Sequence, residues 1–114
     1  MSHLAPDPEP AFHLFLDIEE TPVLARALHL LITGEAHEPQ IRGLAREVLA
    51  LLEPAPADGK LTVPLTPEQM KITHTAAHLL LDDLQREQAA ERELLRRVLD
   101  KLPDEHTMRA IELR

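Results

Sequence analysis

Two histidines and an aspartate are the residues of this chain whose types and spacing come closest to a chemical site. His74, His78 and Asp82 recur every fourth position within KITHTAAHLLLDD, residues 71–83. On a helix that spacing stacks side chains along one face. Two imidazoles a turn apart can hold a divalent metal ion, and the carboxylate can extend the row. The stretch departs from the zinc-protease pattern H-E-x-x-H, because Thr75, Ala76 and Ala77 fill the interval and no glutamate stands ready as general base. Two ligands also fall short of the three or four that zinc sites use. A helical wheel puts His78 and Asp82 on the polar side near Lys71 and Arg96, with His74 at the apolar boundary. Solvation of a polar face accounts for that placement. The expectation is therefore no cofactor, with a metal at His74, His78 and Asp82 as the alternative.

Other chemistries find fewer residues. There is no Cys, so thiolate catalysis, disulfides and Cys-type zinc sites are excluded. The only Ser is Ser2, in a proline-spaced segment, which leaves no basis for a Ser-His-Asp triad. Gly34, Gly43 and Gly59 are too scattered to form a phosphate loop. Neighbouring carboxylates such as Glu19-Glu20 and Asp82-Asp83 diverge by about 100° on a helix and do not make an acid/base pair by spacing. The expectation is a protein that is not an enzyme.

Charge and composition narrow the partners. A net charge of −8 opposes binding to a phosphate backbone, so nucleic acid is not expected. With no Trp, no Tyr and only two Phe, stacking on bases is unsupported as well. A basic protein would suit the acidic first twenty residues together with Glu87 and Glu91. No apolar run reaches the roughly 20 residues of a membrane span, and MSHLAPDPEP lacks the features of a secretory signal. A cytoplasmic location is expected.

Those residues need a scaffold, and the punctuation of the chain suggests one. Residues 1–10, with Pro6, Pro8 and Pro10, are expected to be a flexible acidic tail, and 11–114 a single domain. AFHLFLDI alternates as a strand. Thr21-Pro22 opens a helix that runs to Gly34, and Glu38-Pro39 opens another that ends before Pro54, giving a helical hairpin. KLTVPL predicts a second strand, with Pro64 demanding a free edge. Thr66-Pro67-Glu68-Gln69 is a capping box. Ile111 and Leu113 alternate with Glu112 and Arg114, which suggests a third short strand over 107–113, with a helical turn at MRAIEL as the alternative. The expected fold is α+β, mainly α, in the order β-α-α-β-α-β with a small antiparallel sheet and no internal repeat.

After Pro67 there is no Pro or Gly until Pro103. One helix over 67–102 would be about 54 Å long at 1.5 Å per residue. That exceeds a compact domain of this size, so the helix must break or lie on a partner. Leu94, Leu95, Val98, Leu99 and Leu102 form an apolar stripe on its second half, beyond a polar gap of Glu87, Gln88 and Glu91. A second copy laid on that stripe would bury it by two-fold symmetry. The sequence thus favours a protein-interaction or regulatory protein that acts as a homodimer through its long helix. A metal-binding protein using His74 and His78 is the alternative.

Overall fold

The computed structural model describes residues 12–34, 38–53 and 59–111. The expected tail, residues 1–10, lies outside the described residues. Strand β1 (Phe12–Asp17) leads into helices α1 (Glu20–Thr33) and α2 (Pro39–Leu52). Strand β2 (Lys60–Leu65) leads into α3 (Pro67–Asp83) and, after a 3-10 turn at Arg86–Gln88, into α4 (Ala89–Lys101). A short helix, α5 (Glu105–Arg109), follows. The expected class, mainly helical with a small antiparallel sheet, matches this structure. The order and the long helix do not.

The element order repeats itself. Each half of the chain is a strand followed by two helices, and a shift of 49 positions carries Leu14 and Leu16 onto Val63 and Leu65. The same shift carries Val23, Ala27, Leu28 and Leu31 onto Ile72, Ala76, Ala77 and Leu80, and all of these residues are buried. A shift of 50 carries Ala45, Val48 and Leu52 onto Leu95, Val98 and Leu102, again buried throughout. The strands show the symmetry directly. Leu14 pairs with its own equivalent Val63, and Leu16 pairs with Leu61 while Phe12 pairs with Leu65. A two-fold axis through the Leu14–Val63 pair produces that register. Helices α1 and α3 pack across the axis, α2 lies against α3 and β2, and α4 lies against α1 and β1.

Polar contacts follow the same axis. The Thr66 N–H donates to Gln69 Oε1 at 3.0 Å, and the Asp17 N–H donates to Glu20 Oε1 at 2.7 Å. Gln69 reaches Glu47 of α2, and its counterpart Glu20 reaches Arg97 of α4. The expectation of no repeat is thus corrected. The repeat is carried by residue identity as well as by burial: five of the nine pairs named above are identical, and the pattern R-x-L-x-R-x-V-L of residues 42–49 recurs at 92–99.

The predicted helix over 67–102 is two helices. Leu84 turns to extended backbone (φ −76°, ψ 140°) and ends α3. Arg92 then folds back and donates from Nη1 to the carbonyls of Leu81 (3.0 Å) and Leu84 (3.1 Å), satisfying the helix end. The Gln85 N–H donates to Gln88 Oε1 at 3.0 Å as the chain restarts. No Pro or Gly is involved. The physical cause is the polar gap: turning there leaves Glu87 exposed and brings the later leucines back onto the core. The expected third strand is corrected as well, because the described part of 107–113 begins within α5. Residues 112–114 lie outside the described residues.

Candidate functional site

The shift of 49 carries His29 onto His78, so within the histidine pair the two halves of the chain differ only at His74, where the first half has Ala25. Helix α3 is started by its capping box, with Gln69 N–H donating to Thr66 Oγ1 at 3.2 Å. Its register then places His74, His78 and Asp82 along one side, as the spacing predicts. Helix α5 docks on that side. Asp104 caps it by accepting from the Thr107 N–H at 2.8 Å, and buried Met108 anchors it. Lys71 Nζ donates to the Ile111 carbonyl at 2.5 Å and ties the following residue to α3. Between α3 and α5 lies a cleft of about 350 Å³ lined by His74, His78, Asp82, Glu105, Lys71 and Arg109, among others.

His74 is only 9% exposed, whereas His78 and Asp82 are exposed. The two imidazole rings face each other with centroids 4.6 Å apart and planes inclined at 55°. Neither ring hydrogen-bonds a described residue, and both open on the cleft. Burial lowers the His74 pKa, the neighbouring His78 lowers it further, and Glu105 across the cleft opposes them. Glu105 is itself paired with Arg109 at 3.1 Å. Among the described residues, no three His, Asp or Glu side chains are placed to hold one ion. The structure therefore brings His74 and His78 together and puts Asp82 on the same cleft without assembling a three-ligand site.

His74 being held neutral has a consequence for stability. Its folded pKa lies below its unfolded value, so the unfolded chain takes up a proton first as the pH falls. Stability is full above the ordinary histidine range and declines as the pH drops through the lowered folded value. Urea midpoints measured from pH 8 down to about pH 5 should show this loss, and His74→Leu should flatten the profile. An unchanged slope in the variant would assign the loss to other groups.

The leucine stripe is placed differently from the expectation. Leu95 and Val98 are fully buried within the chain's own core, and Leu102 nearly so. Leu94 and Leu99 are half-buried against the same core, as are their equivalents Leu44 and Leu49. The fold back at Leu84 has removed the surface on which a second copy was to dock. No protein-family model, curated protein or solved structure matches this chain. Its function must be read from its own surface.

The acidic surface expected for a basic partner is altered. Glu20 and Glu91 are engaged inside the chain, Glu20 by Arg97 and Lys101 and Glu91 by Arg26, so neither is a free charge for a basic partner. Arg97, on the facing helix, lies 3.3 Å from Glu20 and 3.7 Å from Glu19. Among the described residues no helix is long and apolar enough to cross a membrane.

Sequence reasoning missed the sheet surface. Leu14, Leu16, Val63 and Leu65 bury one face, and the other presents His13, Phe15, Asp17, Lys60 and Thr62. Phe15 is 63% exposed and Ile18, just past the strand, 65%. A concavity of about 690 Å³ opens beside them, with Lys101 on its wall. The signal was present in FHLFLD, where Phe15 breaks the polar half of the alternation.

Proposed function

We propose that this protein is a non-enzymatic interaction protein that acts as a homodimer, with strand β1 as its contact. The supporting observation is the polarity of that strand's edge. The Asp17 N–H leaves the ladder to reach Glu20. Hydrogen-bonded and non-hydrogen-bonded pairs alternate in an antiparallel ladder, so Phe15 and His13 share the parity of Asp17 and turn their N–H and C=O groups away from β2. The partner of His13 is Pro64, which has no N–H to give, and this agrees.

The two edges of the sheet are consequently unequal. On β2 the outward parity falls on Lys60, Thr62 and Pro64, and Pro64 removes one donor from the middle of the outward-facing run. On β1 it falls on His13 and Phe15, both exposed. An antiparallel second copy of β1, related by a two-fold through Leu14, sets His13 against Phe15 of the other chain. Each outward N–H then meets a carbonyl, and each Phe15 ring lies over the partner's His13. Such an edge is self-complementary, as an isologous contact requires.

Sedimentation equilibrium on the full chain at about 10–100 μM, where contacts of this modest size assemble, should show a dimer. Phe15→Lys places a charge on the edge and should return the protein to monomer, with the thermal midpoint that the wild type shows when dilute enough to be monomeric. A wild-type chain that stays monomeric over that range overturns the proposal. A dimer that survives Phe15→Lys overturns the assignment to β1.

A further inference from the structure

We infer that the groove between α1 and α3 is a docking site for a basic amphipathic helix of a partner protein. Leu30 and Leu79 take its apolar side chains, and Asp82 and Asp83 take its cations. The site is separate from the β1 edge and does not rest on the homodimer.

The internal two-fold places the groove. The shift of 49 carries Leu30 onto Leu79, and both line one opening of about 330 Å³ together with Asp82 and Asp83. The groove therefore lies on the axis, where α1 and α3 pack against each other. Leu79 is 37% exposed and Leu30 half-buried, so the floor is apolar and within reach of a partner.

Charge is where the two halves part. At the places of Asp82 and Asp83 the first half carries Thr33 and Gly34, so the packing of the helix pair does not call for carboxylates there. Both aspartates are exposed in the last turn of α3, at the negative end of the helix dipole, and no basic residue shares that turn. Arg92 reaches the carbonyls of Leu81 and Leu84. Neither aspartate, however, has a hydrogen bond or an ion pair among the described residues. Carboxylates at a helix C-terminus oppose folding, and a cation brought from outside offsets them. Glu20 and Glu91 are engaged within the chain, whereas this pair is free for a basic partner.

Spacing selects the class of cation. Adjacent carboxylates on a helix diverge by about 100°, and no group of described residues could hold a metal ion. Leu79 stands three and four positions before Asp82 and Asp83, so apolar floor and charged rim lie about one helical turn apart. A partner helix reproduces that offset, with leucine or methionine at one position and lysine or arginine three or four further on. Its apolar side chain enters the groove while its cations meet the rim.

The test uses the full chain and, as probe, a fluorescein-labelled peptide of about 14 residues, leucine and lysine patterned as an amphipathic helix. Fluorescence anisotropy at low salt should show saturable binding of one peptide per chain. Asp82→Thr with Asp83→Asn should weaken binding by about 5- to 30-fold, as the loss of two exposed ion pairs gives. The thermal midpoint should hold or rise in that variant, because the helix end loses two carboxylates. Leu79→Ser should weaken binding by about 3- to 10-fold through lost apolar burial. Glu93→Gln with Asp100→Asn removes the same charge from exposed positions elsewhere and should leave binding unchanged. Absence of saturable binding overturns the inference. So does binding that survives the Asp82 and Asp83 changes, or that falls equally with the Glu93 and Asp100 changes, because net charge alone then draws the peptide. An oligolysine that binds as tightly as the amphipathic probe overturns the assignment to an amphipathic helix.

Discussion

Leu95→Ala should destabilise the protein by about 2–5 kcal/mol, and by the same amount at every protein concentration. Leu95 is completely enclosed, and its neighbour on the same face, Val98, is enclosed as well. Removing three carbons from a sealed site loses their transfer energy and leaves a cavity, because the helices on either side relax only in part. Alanine is what the first half carries at the equivalent position, Ala45, but there the surrounding residues already fill the space. The stripe as a dimer contact gives a different signature. Truncation would then shift a monomer–dimer equilibrium, and the urea midpoint would depend on concentration. The difference between variant and wild-type midpoints, compared at roughly 1 and 100 μM, separates the two cases, because a dimer through β1 shifts both chains alike. Leu94→Ala, at a half-buried site, should lose distinctly less than Leu95→Ala. Equal losses at the two positions would contradict the burial order.

The parts of this fold that were legible in the sequence are those set by local chemistry. Thr66, Pro67 and Gln69 specify the start of α3 because a cap, a proline and a reciprocal amide act within four residues. FHLFLD and KLTVPL alternate because one face of the sheet is buried, and Pro64 correctly required a free edge. The turn at Leu84 had no such marker. It depends on Arg92 reaching back to two carbonyls and on where Glu87 and Glu91 can meet water, and those are tertiary facts. Helix α5 was misread for a related reason. Its cap, Asp104 with Thr107, was in plain view, but the alternation of Ile111 and Leu113 carried more weight than it should over so short a segment.

Legibility of the candidate site divides along the same line. The spacing of His74, His78 and Asp82 put them on one side of a helix, and there they are. That His74 would be buried and unpartnered depended on α5, which the spacing could not supply. The duplication explains why the leucine stripe misled. Each half has such a stripe, Leu44 to Leu52 and Leu94 to Leu102, and each is used to cover the first helices across the axis. A second copy was needed in the sequence-level account because the second copy within the chain had gone unseen.

The buried carboxylate of Glu20 makes the other large prediction. Its side chain is 0% exposed and accepts from the Asp17 N–H, from Lys101 at 2.5 Å and from Arg97 at 3.3 Å. Burial pushes its pKa up, but the Asp17 N–H, Lys101 and Arg97 together outweigh this and hold it below the usual glutamate range. Glu20→Ala strands the Asp17 N–H and leaves two cations facing a void. Lys101 and Arg97 are partly exposed and can turn to water, so the loss should be about 2–4 kcal/mol, short of the full cost of a sealed broken pair. Because the folded pKa is depressed, this stability is complete above the unfolded pKa and is lost as the pH falls through the folded value, so acid should bring wild type and variant closer together. The internal symmetry offers a sharper test. Gln69, the equivalent of Glu20, accepts from the Thr66 N–H and donates from Nε2 to Glu47 at 3.0 Å, where Glu47 is the equivalent of Arg97. Glu20→Gln alone turns an amide donor toward Arg97 and should destabilise. Adding Arg97→Glu rebuilds the glutamine–glutamate pair of the other half beside Lys101, and should recover part of the loss. Additive damage from the two changes would mean that these positions are not coupled as the two-fold implies.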